Sequence, residues 1–175
     1  MSEVENGFEV ILDGQITSTS TGGPWQPGQV VLHRSGPGRA QSALAKWVKV
    51  ASACSQGEAL VTDFGLTTES SLAKAATTDM GAPIRGIAAA SCASGSFIFA
   101  VIQGYCENAD SSQTCASGEY MMISGSTAGK LTNDQASTYN TIQATVSASL
   151  KTIVAVARAA FATGLGSVNI VGMWG

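Results

Sequence analysis

Residues 83–105, PIRGIAAASCASGSFIFAVIQGY, decide the fold, because they contain two apolar runs separated by a turn. In FIFAVIQGY, at residues 97–105, apolar side chains fall on both faces of an extended chain for most of its length. Such a strand is typical of a position that is buried on both sides. Pro83 and Gly86 weaken a helix in the first run. We therefore predict a strand, a turn and a second strand.

A later segment repeats this pattern without a gap. IVAVARAAFATG at 153–164 aligns with IRGIAAASCASG at 84–95. Taken alone, the later segment also fits a helix, because its larger apolar residues recur at helical spacing and Gly164 is placed to cap it. Both segments, however, pass through a glycine into another apolar run. We predict strand, turn and strand for both.

Cysteine-containing turns recur at CSQG (54–57), CASG (92–95) and CASG (115–118), and FATG (161–164) carries a phenylalanine at the matching position. Glycine provides the permissive backbone that a turn needs. A position that accepts phenylalanine is a packing position rather than a catalytic one. The cysteines Cys54, Cys92, Cys106 and Cys115 form no Cys-x-x-Cys pair, which argues against a zinc site. The acidic start MSEVENGFEV lacks the basic region of an export signal, so we expect reduced thiols.

Short apolar runs between Gly, Ser, Asn and Pro clusters predict an all-β protein with many antiparallel strands. The candidate strands are 8–13, 29–33, 45–50, 58–63, 84–90, 97–105, 119–124, 153–160 and 167–173. We expect a compact β-barrel or sandwich at residues 45–175, preceded by an N-terminal arm and hairpin at residues 1–44. A short helix is expected within 70–79, and a long loop near 132–150.

The composition of the chain argues against several classes of function. With 45% apolar and only 12% charged residues, the 175-residue chain must have a surface rich in uncharged polar groups, which suits contact with a partner. A net charge of -3 without a run of Lys or Arg argues against nucleic acid as a partner. The longest apolar stretches are interrupted, so no membrane span is expected. No cofactor or metal is expected either.

Catalytic motifs fit poorly. SGSTAGKLT at 124–132 has one residue too few between its glycines for a phosphate-binding loop, and we expect Lys130 to point into solvent. His33 is the only histidine and has no recognisable acid partner, so we expect a half-exposed residue at a strand end. The scattered Asp and Glu residues are expected to serve solubility. We predict no catalytic residues.

Two features favour binding. Trp25 lies between Pro24 and Pro27, which present a large ring on an extended chain, so we expect it to dock against a neighbouring subunit. The alternative is that it folds back over its own barrel. The only charges from 14 to 57 are Arg34, Arg39, Lys46 and Lys49, which form a basic segment suited to an acidic surface. A solvated loop remains the alternative for these residues.

The order of the predicted strands and turns resembles a β-rich module of tailed-bacteriophage structural proteins, above all the head decoration, or capsid cement, proteins. The motifs that carry the resemblance are GIA (86–88), VIQG (101–104), GEY (118–120) and STAG (126–129). The similar region covers residues 57–173 and leaves residues 1–45 unmatched.

The resemblance implies a virion structural protein without enzymatic activity. It would bind the outer surface of the capsid after assembly in the host cytoplasm and reinforce contacts between subunits of the major capsid protein. It would also form a homo-oligomer, for which we expect a trimer. The alternative is a tail, fibre or other receptor-contacting module.

Overall fold

The computed structural model describes residues 10–13, 19–20, 25–35, 41–62, 71–79, 84–133 and 155–170. The strands in these residues are β1 (Val10–Asp13), β2 (Thr19–Ser20), β3 (Val30–Ser35), β4 (Gln41–Val50), β5 (Ala59–Thr62), β6 (Ser71–Lys74), β7 (Gly86–Ala88), β8 (Phe97–Ser111), β9 (Tyr120–Ile123), β10 (Leu131–Asn133), β11 (Ala155–Ala157) and β12 (Gly164–Ile170). Every predicted strand overlaps one of these. The strands β2, β6 and β10 are additional.

The helix expected within 70–79 is wrong for the Leu-Ala-Lys run, which forms strand β6, and only a three-residue 3-10 helix follows at Thr77–Asp79. Strand β6 pairs with β5 on one side and β4 on the other, so tertiary pairing overrides the local helical preference. In the part of the chain that the structure describes, no helix is long and apolar enough to cross a membrane.

The strands close into two rings that share β8. In the first ring, neighbours pair in the order β4, β6, β5, β7, β8 and back to β4. In the second ring the order is β8, β10, β9, β11, β12 and back to β8. Each ring contains one parallel pairing, β4 with β6 and β8 with β10. We call these rings the first barrel and the second barrel, and they confirm the predicted all-β fold.

The two barrels repeat one arrangement. Register partners on neighbouring strands of the first barrel correspond to register partners in the second. Ala59–Ile87 corresponds to Tyr120–Val156, and Leu60–Gly86 corresponds to Met121–Ala155. In the parallel pairings, Val50–Leu72 corresponds to Ser111–Leu131. Strand β8, which is 15 residues long, is the last strand of the first barrel and the first strand of the second. The sequence repeat between 84–95 and 153–164 therefore belongs to a larger structural duplication. The predicted order of strand, turn and strand is confirmed for both segments, but the first strands, β7 and β11, are only three residues long and are followed by bends.

Apolar side chains of the first barrel pack on both faces of its strands. One face forms a cluster of buried residues that contains Val48, Val50, Cys54, Leu60, Leu72, Ala88, Ile98 and Ala100. The opposite face carries Trp47 and Phe99, whose ring centroids lie 4.7 Å apart at 61°. These rings belong to a larger cluster that continues into the second barrel. Each fully buried large apolar side chain contributes about 1.5–3 kcal/mol, so these clusters are the main source of stability.

Described parts of residues 1–44 are hydrogen-bonded to the rest of the chain. Strand β1 pairs with β3 in parallel, β3 pairs with β4, and the two-residue strand β2 pairs with β8. The predicted boundary between residues 44 and 45 falls inside β4. The division into an arm and a barrel domain stays a prediction.

Candidate interface

The Cys-x-x-Gly segments are turns at the ends of the barrels, as predicted. Each ends in a glycine with a positive φ, namely Gly57 (87°), Gly95 (83°) and Gly118 (85°), and the matching segment FATG ends in Gly164 (117°), the first residue of β12. The residues that begin these turns face each other in isolated bridges, Cys54 opposite Cys92 and Cys115 opposite Phe161. Phe161 therefore occupies the position that Cys92 holds in the first barrel, and both residues serve packing.

Carboxylates stabilise two of these turns. Glu58 Oε2 accepts a hydrogen bond from the Ser55 amide at 2.8 Å, and Glu119 Oε2 accepts the same bond from the Ala116 amide at 2.8 Å. Glu58 is buried and also lies 3.8 Å from Lys74 Nζ. The expectation that acidic residues serve solubility is wrong for these two, because their carboxylates replace missing backbone acceptors.

Three of the four cysteine thiols, those of Cys54, Cys106 and Cys115, are poor candidates for catalytic nucleophiles near neutral pH. Burial raises the pKa of Cys106 to about 11. Burial, reinforced by Cys92, raises the pKa of Cys54 to about 12. Burial also raises the pKa of Cys115. Such thiols stay protonated near neutral pH, and the protonated thiol is the unreactive form. Among the described residues, no cluster of three or more His, Cys, Asp or Glu side chains is arranged for a metal ion.

The loop SGSTAGK at 124–130 connects β9 to β10 in the second barrel and is hydrogen-bonded to the first barrel. The Gly129 amide donates to the Ala75 carbonyl at 2.7 Å, and its carbonyl accepts from the Ala59 amide at 2.6 Å. Lys130 Nζ lies 3.1 Å from Asp110 Oδ1, and only 28% of the Lys130 side chain is exposed. The expectation that Lys130 points into solvent is wrong, because its ammonium group pairs with Asp110 of β8, although residues 125–128 of the same loop are exposed.

His33 is also placed differently from its prediction. It is 8% exposed rather than half-exposed. On β3 the buried residues Val31 and His33 alternate with the more exposed Val30, Leu32 and Arg34. His33 lies opposite Ala43 of β4, which is also buried. Its side chain therefore belongs to the face of β3 that is turned toward the core.

The outer face of β3 and β4 brings together two of the predicted interface residues. Arg34 lies opposite Ser42, Leu32 opposite Leu44, and Val30 opposite Lys46. Directly opposite residues share a face, so these side chains form one surface, which we call the β3–β4 face. Arg34 is exposed, Val30 is 38% exposed, and Leu32, Leu44 and Lys46 are partly exposed. The surface thus has an apolar centre with a cation at each end.

The other predicted interface residues lie elsewhere. Lys49 is exposed, but it lies three positions after Lys46 on a regular strand and is therefore on the opposite face of β4. Trp25 is partly buried and packs edge-on against Phe99, with ring centroids 5.7 Å apart. This contact supports the alternative that Trp25 folds back over its own barrel. Arg39 lies outside the described residues.

The β1 register bears on the basic segment. Asp13 of β1 is the register partner of Arg34 in the parallel pairing of β1 with β3. The strand that follows the acidic start of the chain therefore ends, at Asp13, beside the basic segment of the same chain. Lys46, at the other end of the β3–β4 face, is not in register with β1.

A second exposed surface lies on the second barrel. Tyr120, Val156, Asn169 and Tyr105 lie in one row across β9, β11, β12 and β8. Tyr120 is 57% exposed, and Arg158 Cζ lies 5.8 Å from the centroid of the Tyr105 ring. The matching row of the first barrel is fully buried and consists of Ala59, Ile87 and Val101. We call this surface the tyrosine row. The sequence pattern did not predict this surface, although GEY at 118–120 places a tyrosine directly after a turn.

The sequence was also compared with known proteins. No model of a known protein family matches the chain, and no curated protein sequence matches it significantly.

Proposed function

We propose that the chain is a virion structural protein that binds the outer surface of a bacteriophage capsid and reinforces contacts between major capsid subunits. The observation that carries this proposal is the β3–β4 face, where Val30, Leu32 and Leu44 are flanked by Arg34 and Lys46. Exposed apolar side chains with cations at the rim suit a flat protein surface that carries carboxylates.

The duplicated barrel supports a role in adhesion. Inside each barrel, paired strands and buried apolar residues leave a rigid body that loses little conformational entropy when it binds. A protein that binds the assembled shell, and not free capsid subunits, shifts the equilibrium toward the intact shell. Reinforcement by contact area alone therefore needs no reaction and no cofactor.

A homo-oligomer, expected as a trimer, is part of the proposal. The barrels are closed rings, whereas β1 has one strand neighbour among the described residues, namely β3. An open strand edge is a common site of pairing with another chain. We infer that β1 contributes to contacts between copies, and light scattering of the purified protein measures the number of copies.

The experiment is a binding assay with phage heads that were prepared without the protein. Purified protein is added, heads are sedimented, and the bound fraction is measured at several salt concentrations. Arg34→Ala and Lys46→Ala are expected to weaken binding about tenfold each in low salt and less in high salt. Lys49→Ala is the matched control, because Lys49 is an exposed lysine on the other face of the same strand. Absence of binding at saturating protein would refute the proposal.

The alternative hypothesis of a tail, fibre or other receptor-contacting module makes a different prediction, which an assay of binding to host cells tests. The tyrosine row provides aromatic side chains on a rigid sheet, which suits receptor contact as well as capsid contact. Under that reading, Tyr120→Ala reduces adsorption of the purified protein to host cells, and the protein does not sediment with heads. If Tyr120→Ala binds to heads as well as the wild-type protein does, the result favours decoration through the β3–β4 face.

A further inference from the structure

Cys54 and Cys92 form a closely spaced thiol pair at one end of the first barrel. Their backbones exchange two hydrogen bonds, from the Cys54 amide to the Cys92 carbonyl at 3.1 Å and in the reverse direction at 2.9 Å. The two residues are therefore directly opposite each other in an antiparallel bridge. Their Sγ atoms lie 3.5 Å apart.

This geometry is close to that of a disulfide. Hydrogen-bonded antiparallel pairs have Cα atoms about 5.5 Å apart, within the range of about 4.4–6.8 Å that disulfides span. Formation of the bond requires the sulfurs to approach to about 2.05 Å, which small side-chain rotations and a slight backbone shift provide. The segments that carry the cysteines are bends and turns, which adjust more easily than strand interiors.

The second barrel shows that the fold itself does not require two thiols here. At the matching bridge, Cys115 faces Phe161, and Cys115 Sγ instead lies 3.4 Å from Ser111 Oγ. The Phe161 ring lies against Gly166, where an added Cβ would come within 2.2 Å of the ring. Packing therefore fills this position with either residue type, and only the first barrel places two thiols in contact.

We propose that Cys54 and Cys92 are a modification site that forms an intramolecular disulfide when the protein meets an oxidising environment. The oxidant is a small disulfide such as oxidised glutathione. Cys92, which is partly exposed, attacks first as its thiolate, forms a mixed disulfide and releases one glutathione thiolate. Cys54 then loses its proton to water and attacks the Cys92 sulfur, which releases the second glutathione. The buried Cys54 thiol is mostly protonated, but this step is intramolecular because the two sulfurs already lie 3.5 Å apart. In total, two protein thiols and one oxidised glutathione yield one protein disulfide and two reduced glutathione molecules.

The bond would close a covalent loop around β5, β6 and β7, three of the five strands of the first barrel. Such a link restricts the unfolded chain and stabilises the folded barrel. We expect the melting temperature to rise by roughly 5–10 °C for a chain of this length. This inference does not depend on the proposed function, because it concerns the isolated protein.

The test uses the purified full-length chain, incubated with reduced or oxidised glutathione, then denatured and alkylated with iodoacetamide. The reduced protein has four free cysteines, and the oxidised protein is expected to retain Cys106 and Cys115 alone as free thiols. Its unalkylated mass falls by about 2 Da, the mass of two hydrogens. Peptide mapping is expected to find Cys54 linked to Cys92. Four alkylated cysteines after oxidation, or a link between any other pair, would overturn the proposal.

Two variants complete the test. Cys92→Ala is expected to lose both the disulfide and the rise in melting temperature, whereas Cys115→Ala is expected to keep both. Should Cys92→Ala fail to fold, peptide mapping of the wild-type protein decides the question by itself. A Cys54–Cys92 disulfide that leaves the melting temperature unchanged or lowers it overturns the stabilising role.

Discussion

The duplicated turns allow one substitution to be compared at two matching positions. Gly57 and Gly118 end corresponding turns and have nearly the same φ, 87° and 85°. A Cβ at Gly57 would lie 2.2 Å from the Asn108 carbonyl oxygen and 2.9 Å from the Asp110 amide nitrogen. A Cβ at Gly118 would have no neighbour within 4 Å. Replacement by alanine therefore adds the same backbone strain at both positions but a steric clash only at Gly57.

The difference can be given a magnitude. A non-glycine residue in the left-handed region costs about 1–2 kcal/mol, so Gly118→Ala is expected to lower the free energy of unfolding by about that amount. Gly57→Ala adds the displacement of β8 and the loss of the 2.8 Å hydrogen bond from the Asp110 amide to the Gly57 carbonyl. That bond contributes about 1 kcal/mol, and the forced shift in a packed region costs a further 1–3 kcal/mol. The expected loss at Gly57 is therefore about 3–6 kcal/mol.

Urea unfolding gives the free energies of unfolding and thermal unfolding gives the melting temperatures of both variants, each followed by tryptophan fluorescence. At about 2–4 °C per kcal/mol, Gly118→Ala is expected to melt about 2–8 °C below the wild-type protein, and Gly57→Ala at least about 6 °C below it. Equal losses at the two positions would contradict the close approach of the first turn to β8, and with it the way in which the barrels pack.

Three further predictions concern single side chains. Burial raises the pKa of Cys106 to about 11, so the stability that its protonated thiol contributes is complete below pH 9 and is lost as the pH rises through 11. Between pH 8 and pH 10, the free energy of unfolding measured in urea should therefore fall by about 1 kcal/mol more for the wild-type protein than for Cys106→Ala. Lys130→Ala and Asp110→Asn should show a coupling of about 0.5–1 kcal/mol in a double-mutant cycle, and additive losses would exclude the ion pair. Glu119→Gln should lower the free energy of unfolding by about 1 kcal/mol because it weakens the bond to the Ala116 amide, and an unchanged melting temperature would contradict that role.

Much of the strand pattern could be predicted because it is local. Alternating or continuous apolar runs marked the longer strands, and the Cys-x-x-Gly segments marked the turns between them. Strands β6 and β10, of four and three residues, were missed because short strands carry too little pattern to be recognised. Each is extended because it pairs on both sides, which is information that lies elsewhere in the chain.

Local sequence could predict the positions of some interface residues, whereas the positions of others depend on distant strands. The odd spacing between Lys46 and Lys49 already places them on opposite faces of a strand, so this separation could have been derived from the sequence. The contact of Trp25 with Phe99 could not, because nothing in PWQP indicates which distant strand the ring meets. The buried position of His33 depends on which face of β3 turns inward, and β4 determines that face.

Because the two barrels have corresponding positions, their residues can be compared to find which positions the fold constrains and which it leaves free to vary. At several inward positions the barrels keep residues of the same kind, as with Leu72 and Leu131 or Cys54 and Cys115, although Val50 corresponds to Ser111. At outward positions they differ, because buried Ala59 corresponds to Tyr120, which is 57% exposed. The first barrel uses its outer face to pack against other parts of the chain, whereas the second leaves its tyrosine row accessible. A chain that acts by contact is therefore expected to present two distinct surfaces, the β3–β4 face and the tyrosine row. Substitutions on one should leave contacts made by the other intact.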